Sequence, residues 1–162
     1  MPQRMIVPTI LLLALELATA TIARAQSVAD LNHALRAMDL RMRALNTTRK
    51  NLEQIENHHN AHEEAAVRSI TDADVVVFSA ALKVFTVAFI AGGMKCPEDL
   101  RFAQKQFGSV VKSFVTTADE ELAIVNGNLR DVAAPPALAE ATNIRDTVVD
   151  LRDILKPFAA EE

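Results

Sequence analysis

The sequence predicts an all-α chain, an up-down antiparallel four-helix bundle with a long first helix that is prone to bend. Apolar residues recur with a helical period of about 3.6 over most of its length. Only four glycines occur in 162 residues. The breaks in the apolar pattern coincide with Gly92-Gly93, Pro97, Gly127, Pro135-Pro136 and Pro157. Connections between successive segments are short, which favours antiparallel neighbours.

Residues 1–25 read as a secretory signal peptide. Arg4 charges the leading segment, an apolar run extends from Ile10 to Leu15 and on through Leu17 and Ala18, and Ala23-Arg24-Ala25 supplies small residues at the cleavage site. Glu16 within the apolar run and Arg24 within the cleavage motif depart from the usual pattern. Cleavage before Gln26 leaves a helical domain of 137 residues, 26–162, in the periplasm or outside the cell. A domain of that size buries a core without disulfides or metal.

The first helix is expected from Ser27 to about Ser69, opening on Ser27-Val28-Ala29-Asp30, which resembles a capping box. Its apolar seam runs through Leu31, Leu35, Met38, Met42 and Leu45 with alternating steps of four and three, as in a coiled coil. A second seam runs through Leu52, Ile55, His59, His62 and Ala66. Joining the two through Thr48 requires two successive steps of three, a stammer, at three weak helix formers, Asn46-Thr47-Thr48. A bend or short interruption is expected there. Asn46-Thr47-Thr48 also fits the glycosylation sequon, a weak signal inside a helix.

The second helix is expected from Thr71-Asp72 to Gly92-Gly93, the third from Pro97-Glu98-Asp99 to near Gly127, and the fourth from Pro135-Pro136 to just before Pro157. Within the second, Val75 to Ala91 has a single charge, Lys83, and is nearly apolar enough for a membrane. It is short for a bilayer, and Ser79, Lys83 and Thr86 form one narrow polar stripe, so a soluble helix is the favoured reading. Phe78, Leu82, Phe85 and Phe89 are expected to face Phe107, Val110, Val111, Phe114 and Ala118 of the third helix as the core.

Composition excludes several functions. From Gln26 onward the net charge is −5 with signs mixed along the chain, and no Tyr or Trp is present. There is no basic patch to neutralise phosphates and no Tyr or Trp for base stacking, so no nucleic-acid partner is expected. No Gly-rich phosphate loop, nucleophile elbow or haem-attachment motif occurs, and the expectation is that the chain is not an enzyme and needs no cofactor. Its one cysteine, Cys96, has no partner within the chain, which makes it a candidate for a disulfide to another chain in an oxidising compartment.

The histidines are the remaining cluster able to carry chemistry. On a continuous helix, His58 and His62, and likewise His59 and Glu63, would lie four apart and could each hold one side of a Zn or Cu ion. Glu56, three residues before His59, also matches the Glu-x-x-His element of ferritin-like di-iron sites, but no second such element is present. The reading that takes most of the sequence into account is an exported structural or accessory subunit working through contact with a protein partner or another copy of itself. The alternative is a periplasmic metal-binding protein using His58, His59, His62 and Glu63.

Overall fold

The computed structural model describes residues 28–55, 60–94 and 96–159. Four α-helices pack against each other: α1 (Val28–Glu53), α2 (Ala61–Gly93), α3 (Pro97–Asn128) and α4 (Pro135–Leu155). Short 3₁₀ turns at Leu129–Asp131 and Lys156–Phe158 follow α3 and α4. The predicted signal peptide lies outside the described residues.

The expected long first helix is two helices. The chain stays helical through Asn46-Thr47-Thr48 and α1 ends at Glu53, whereas α2 begins at Ala61 and runs without a break through Thr71-Asp72. Four local polar bonds keep the first of these segments helical or start the second. Thr47 Oγ1 donates to the Arg43 carbonyl at 3.0 Å, and Arg49 Nη2 donates to Asn46 Oδ1 at 2.8 Å, so the weak helix formers are satisfied inside the helix. Asn60 is extended and caps α2, its Oδ1 accepting from the backbone N–H groups of His62 and Glu63. Thr71, expected at a helix start, instead donates its hydroxyl back to the Val67 carbonyl within α2.

No stammer is needed. In α1 the seam Leu31, Leu35, Met38, Met42, Leu45, Arg49 and Leu52 keeps alternating steps of four and three, with a charged residue at one position. In α2 the same alternation runs through Glu63, Val67, Ile70, Asp74, Val77, Ala81 and Val84, all of which are buried. Both helices therefore carry regular heptad seams in which charged residues replace apolar ones. In α4, Ala137, Ala141, Ile144, Val148, Leu151 and Leu155 are buried at the same steps. These faces, with Phe107, Val111, Phe114 and Ala118 of α3, form one continuous core.

The most extensive helix contact is α2 with α3, followed by α1 with α4. α3 with α4 and α1 with α2 are less extensive, α2 also touches α4, and no contact joins α1 to α3 among the described residues. The predicted α3 core face is observed, but its expected partner on α2 is not. The small residues Ala66, Ala73 and Ala81 lie on the buried side of α2 and let α3 approach. The stripe Phe78, Leu82, Phe85 and Phe89 sits farther round the helix. Phe78 is half-buried, while Leu82, Phe85 and Phe89 are exposed.

Candidate functional site

Two features of α2 stand out, one at each end. Its first turn is tied down by polar bonds. The Glu63 carboxylate is buried and accepts, through Oε1, from the backbone N–H of Ala133 at 2.8 Å and of Ala134 at 2.6 Å. Ala134 is the N-cap of α4, and its methyl side chain offers no acceptor. Glu63 thus supplies from another helix the anionic cap that α4 lacks. Close by, His62 Nε2 lies 3.3 Å from Asp131 Oδ1, and Asn128 Nδ2 donates to Ser69 Oγ at 3.2 Å.

The far end of α2 is apolar and open. Leu82 is 50% exposed, Ile90 52% and Phe89 79%, and Phe102, in the second turn of α3, is 64% exposed. Ser79, Lys83 and Thr86 are exposed among them, as the predicted polar stripe requires. Ala61–Gly93 is long and apolar enough to cross a membrane by length and composition, and only 17% of its most apolar 18-residue stretch is buried. This helix therefore contributes its Ala and Val seam to the core and leaves its Phe and Leu stripe largely outside it, contrary to the expectation that the stripe packs against α3. Between α1 and α2, Met42, Phe78, Leu82 and Phe85 floor a cleft of about 270 Å³ whose rim carries Asp39, Arg43 and Asn46. Arg43 and Asp39 pair across the rim at 2.8 Å. An apolar floor with a polar rim suits the apolar side chains of a partner helix.

A second groove, of about 460 Å³, follows α2 and α3 and is lined by Glu64, Arg68, Asp72 and Glu121 among others. Burial, followed by repulsion from Glu120, raises the pKa of the Glu121 carboxyl. Arg68 is already bound to Glu64 at 3.2 Å.

Two of the four sequence-predicted metal residues, His62 and Glu63, are among the described residues. His58 and His59 lie outside the described residues. His62 is exposed beside Asp131, while the Glu63 carboxylate is occupied by the N–H groups at the head of α4. The helical pairing of His58 with His62 and of His59 with Glu63 required a helix running through Asn60, which is instead extended with α2 starting after it. Among the described residues no three His, Cys, Asp or Glu side chains are grouped to hold a metal ion. Cys96 is a free, exposed thiol at the N-cap of α3, where its side chain makes no capping bond.

Sequence reasoning missed Glu63 as a clamp and Asp74 as a buried acid. Asn60-Ala61-His62-Glu63 has the spacing of a capping box with Asn in place of Ser or Thr, a signal hidden by carrying one helix through it. Asp74 could have been found as the one seam position of α2 between Ile70 and Val77 that carries a charge.

Comparison with known protein families, with curated proteins and with solved structures finds no match to this chain.

Proposed function

We propose that this chain is an exported structural or accessory subunit that acts by docking a protein partner, or a second copy of itself, on the apolar half of α2. The observation that carries the reading is the run of Leu82, Phe85, Phe89 and Ile90 on the outside of a well-packed fold. Isolated exposed apolar residues are ordinary, but a row of them along one helix beside an apolar cleft marks a contact surface. The finer architecture that goes with it is an up-down antiparallel bundle. Arg49 meets Asp74, while the earlier residues Asp39 and Met42 share a cleft with the later residues Leu82 and Phe85, which supports opposed directions for α1 and α2. Export rests on the signal-like residues 1–25 and places the mature chain in the periplasm or outside the cell. In that compartment Cys96 is available to bond another chain.

A photoreactive residue in place of Phe89, introduced into the full-length chain in its native envelope, tests the reading. A discrete protein adduct at position 89, absent when the same group replaces the exposed Glu98, is the expected result. Adducts to lipid alone, with the chain retained in alkali-washed membranes, would assign the surface to a bilayer and overturn it. No adduct together with a strictly monomeric mature chain would do the same.

A further inference from the structure

Arg49 and Asp74 occupy seam positions on α1 and α2, where every other position of the interval is filled by apolar side chains. The Asp74 side chain is 0% exposed. Neither of its carboxylate oxygens has a hydrogen-bond partner, and neither has the Arg49 Nε, although Arg49 Nε and Asp74 Oδ2 are 3.6 Å apart. The guanidinium is drawn elsewhere: Nη2 donates to Asn46 Oδ1 at 2.8 Å, and Nε lies 3.8 Å from Glu53 Oε1. A buried carboxylate with no donor is costly when charged and tolerable when neutral. Burial accordingly pushes Asp74 up to about 7, with Arg49 opposing the shift and Glu53 adding to it.

The charged groups that act on Asp74, Arg49 and Glu53, both stand on α1. Glu121 of α3 lines the groove shared with Asp72 and Val76. On α4, Glu140 accepts from the Asn51 amide and Arg145 pairs with Asp146. Arg152 is held by Asp119 and Asp153. Asp74 therefore answers to α1, and α1 with α2 is among the less extensive of the helix contacts. Asn46, which holds the Arg49 guanidinium, also lines the rim of the apolar cleft.

We propose that Arg49 and Asp74 form a pH-operated latch on the α1–α2 seam, closed while Asp74 carries its proton and loosened when it loses it. Loosening hydrates the carboxylate, draws the guanidinium away from Asn46 and opens the apolar cleft beside it. That the cleft then admits a partner rests on the docking reading above; the latch itself does not. An opening that exposes Asp74 to water restores its ordinary acidity, so the open state releases one proton. The open population then rises about tenfold per pH unit between roughly pH 4 and pH 7 and levels off above that.

Hydrogen exchange on the mature chain without any partner, corrected for the intrinsic pH dependence of exchange, tests it. Protection of α1 amides 42–53 is expected to fall about a hundredfold from pH 5 to pH 7 while that of mid-α3 amides falls much less. In Asp74→Asn the difference between the two helices is expected to be flat with pH. Arg49→Met should carry the fall to higher pH and Glu53→Gln should end it at lower pH, opposed shifts that a merely structural pair would not produce. Equal losses in α1 and α3, or a pH dependence that survives in Asp74→Asn, would overturn the latch. Should Asp74→Asn fail to fold, carbon NMR titration of the Asp74 carboxyl in the unmodified chain decides, because a midpoint in the ordinary carboxylate range would overturn it as well. Failure of the docking reading leaves these exchange results untouched.

Discussion

The two ends of α2 are built on opposite principles. At the start, Asn60 caps the helix and Glu63 reaches across to cap α4, so backbone donors that would otherwise be orphaned are bonded by side chains. At the finish, no side chain caps α3 and the large apolar residues Phe89, Ile90 and Phe102 stand in solvent. One end is closed by bonds internal to the chain, and the other leaves apolar surface uncovered. That contrast is what the proposed docking of a partner on the open end draws on.

The sharpest way to break this comparison is to remove the clamp. Glu63→Ala deletes a buried acceptor serving two N–H groups and leaves a hole in the seam, so unfolding in urea is expected to show a loss of about 4 kcal/mol. Glu63→Gln keeps an oxygen in place and should lose about half as much. Equal losses in the two variants would mean that packing rather than the bonds to Ala133 and Ala134 holds the end together.

Asp74→Asn ranks next and has the opposite sign. The unfolded carboxyl titrates near 3.8 and the folded one at about 7, so the unfolded state gives up its proton first as pH rises. Native stability drops through that interval and is level above it. Asn does not titrate, so relative to the unmodified chain it is expected to gain nothing near pH 4. By pH 7.5 it gains about 3 kcal/mol, allowing for the amide's own buried polar atoms. Thermal unfolding at the two pH values measures the difference.

The open end should be nearly silent in stability. Phe89→Ser is expected to change unfolding free energy by no more than about 0.5 kcal/mol, because little of its side chain leaves water on folding, and Leu82→Ser, whose side chain is half covered, by about 1 kcal/mol. Val77→Ser, on the buried seam of the same helix, should cost several times the Phe89→Ser change. Leu82→Ser is also expected to lose the protein adduct formed by the photoreactive group at position 89, so stability and contact separate at this end and coincide at the other.

How far these features were legible follows from the kind of signal each leaves. The α3 and α4 helices are marked by Pro at their starts and by apolar periods unbroken by charge, and both were read almost to the residue. The α1–α2 region was misread because its seams continue through Arg49, Glu63 and Asp74. A charged residue at a core position looks like the end of a pattern until its partner on another helix is known, and that partner is 25 residues away for Arg49 and about 70 for Glu63. The choice between two apolar faces of α2 had the same origin. Both the alanine-valine stripe and the phenylalanine-leucine stripe are hydrophobic, and bulk favours the second. Close approach of α3 selects the first, a preference that belongs to the helix pair and not to α2 alone. Of the candidate site, the exposed polar stripe and the cysteine at a helix entry were readable, whereas the continuous helix assumed for the histidines was not, because Asn60 caps a helix that starts later.

The smallest expected effect concerns Cys96 and bears directly on what the open end is for. The thiol is exposed and makes no capping bond, so Cys96→Ser should leave unfolding unchanged within error. An oxidised preparation of the mature chain is expected to run partly as a dimer without reductant, and the Cys96→Ser chain only as a monomer. Phe102 stands about 9 Å along α3 from Cys96, on the same end as Phe89. If apolar contact brings the chains together, Phe89→Ser with Phe102→Ser slows dimer formation severalfold although the thiol is untouched. A dimer that forms at the same rate in that variant would show that chance encounter suffices and would remove a second copy of the chain from the occupants of the apolar surface, leaving a different protein as its partner.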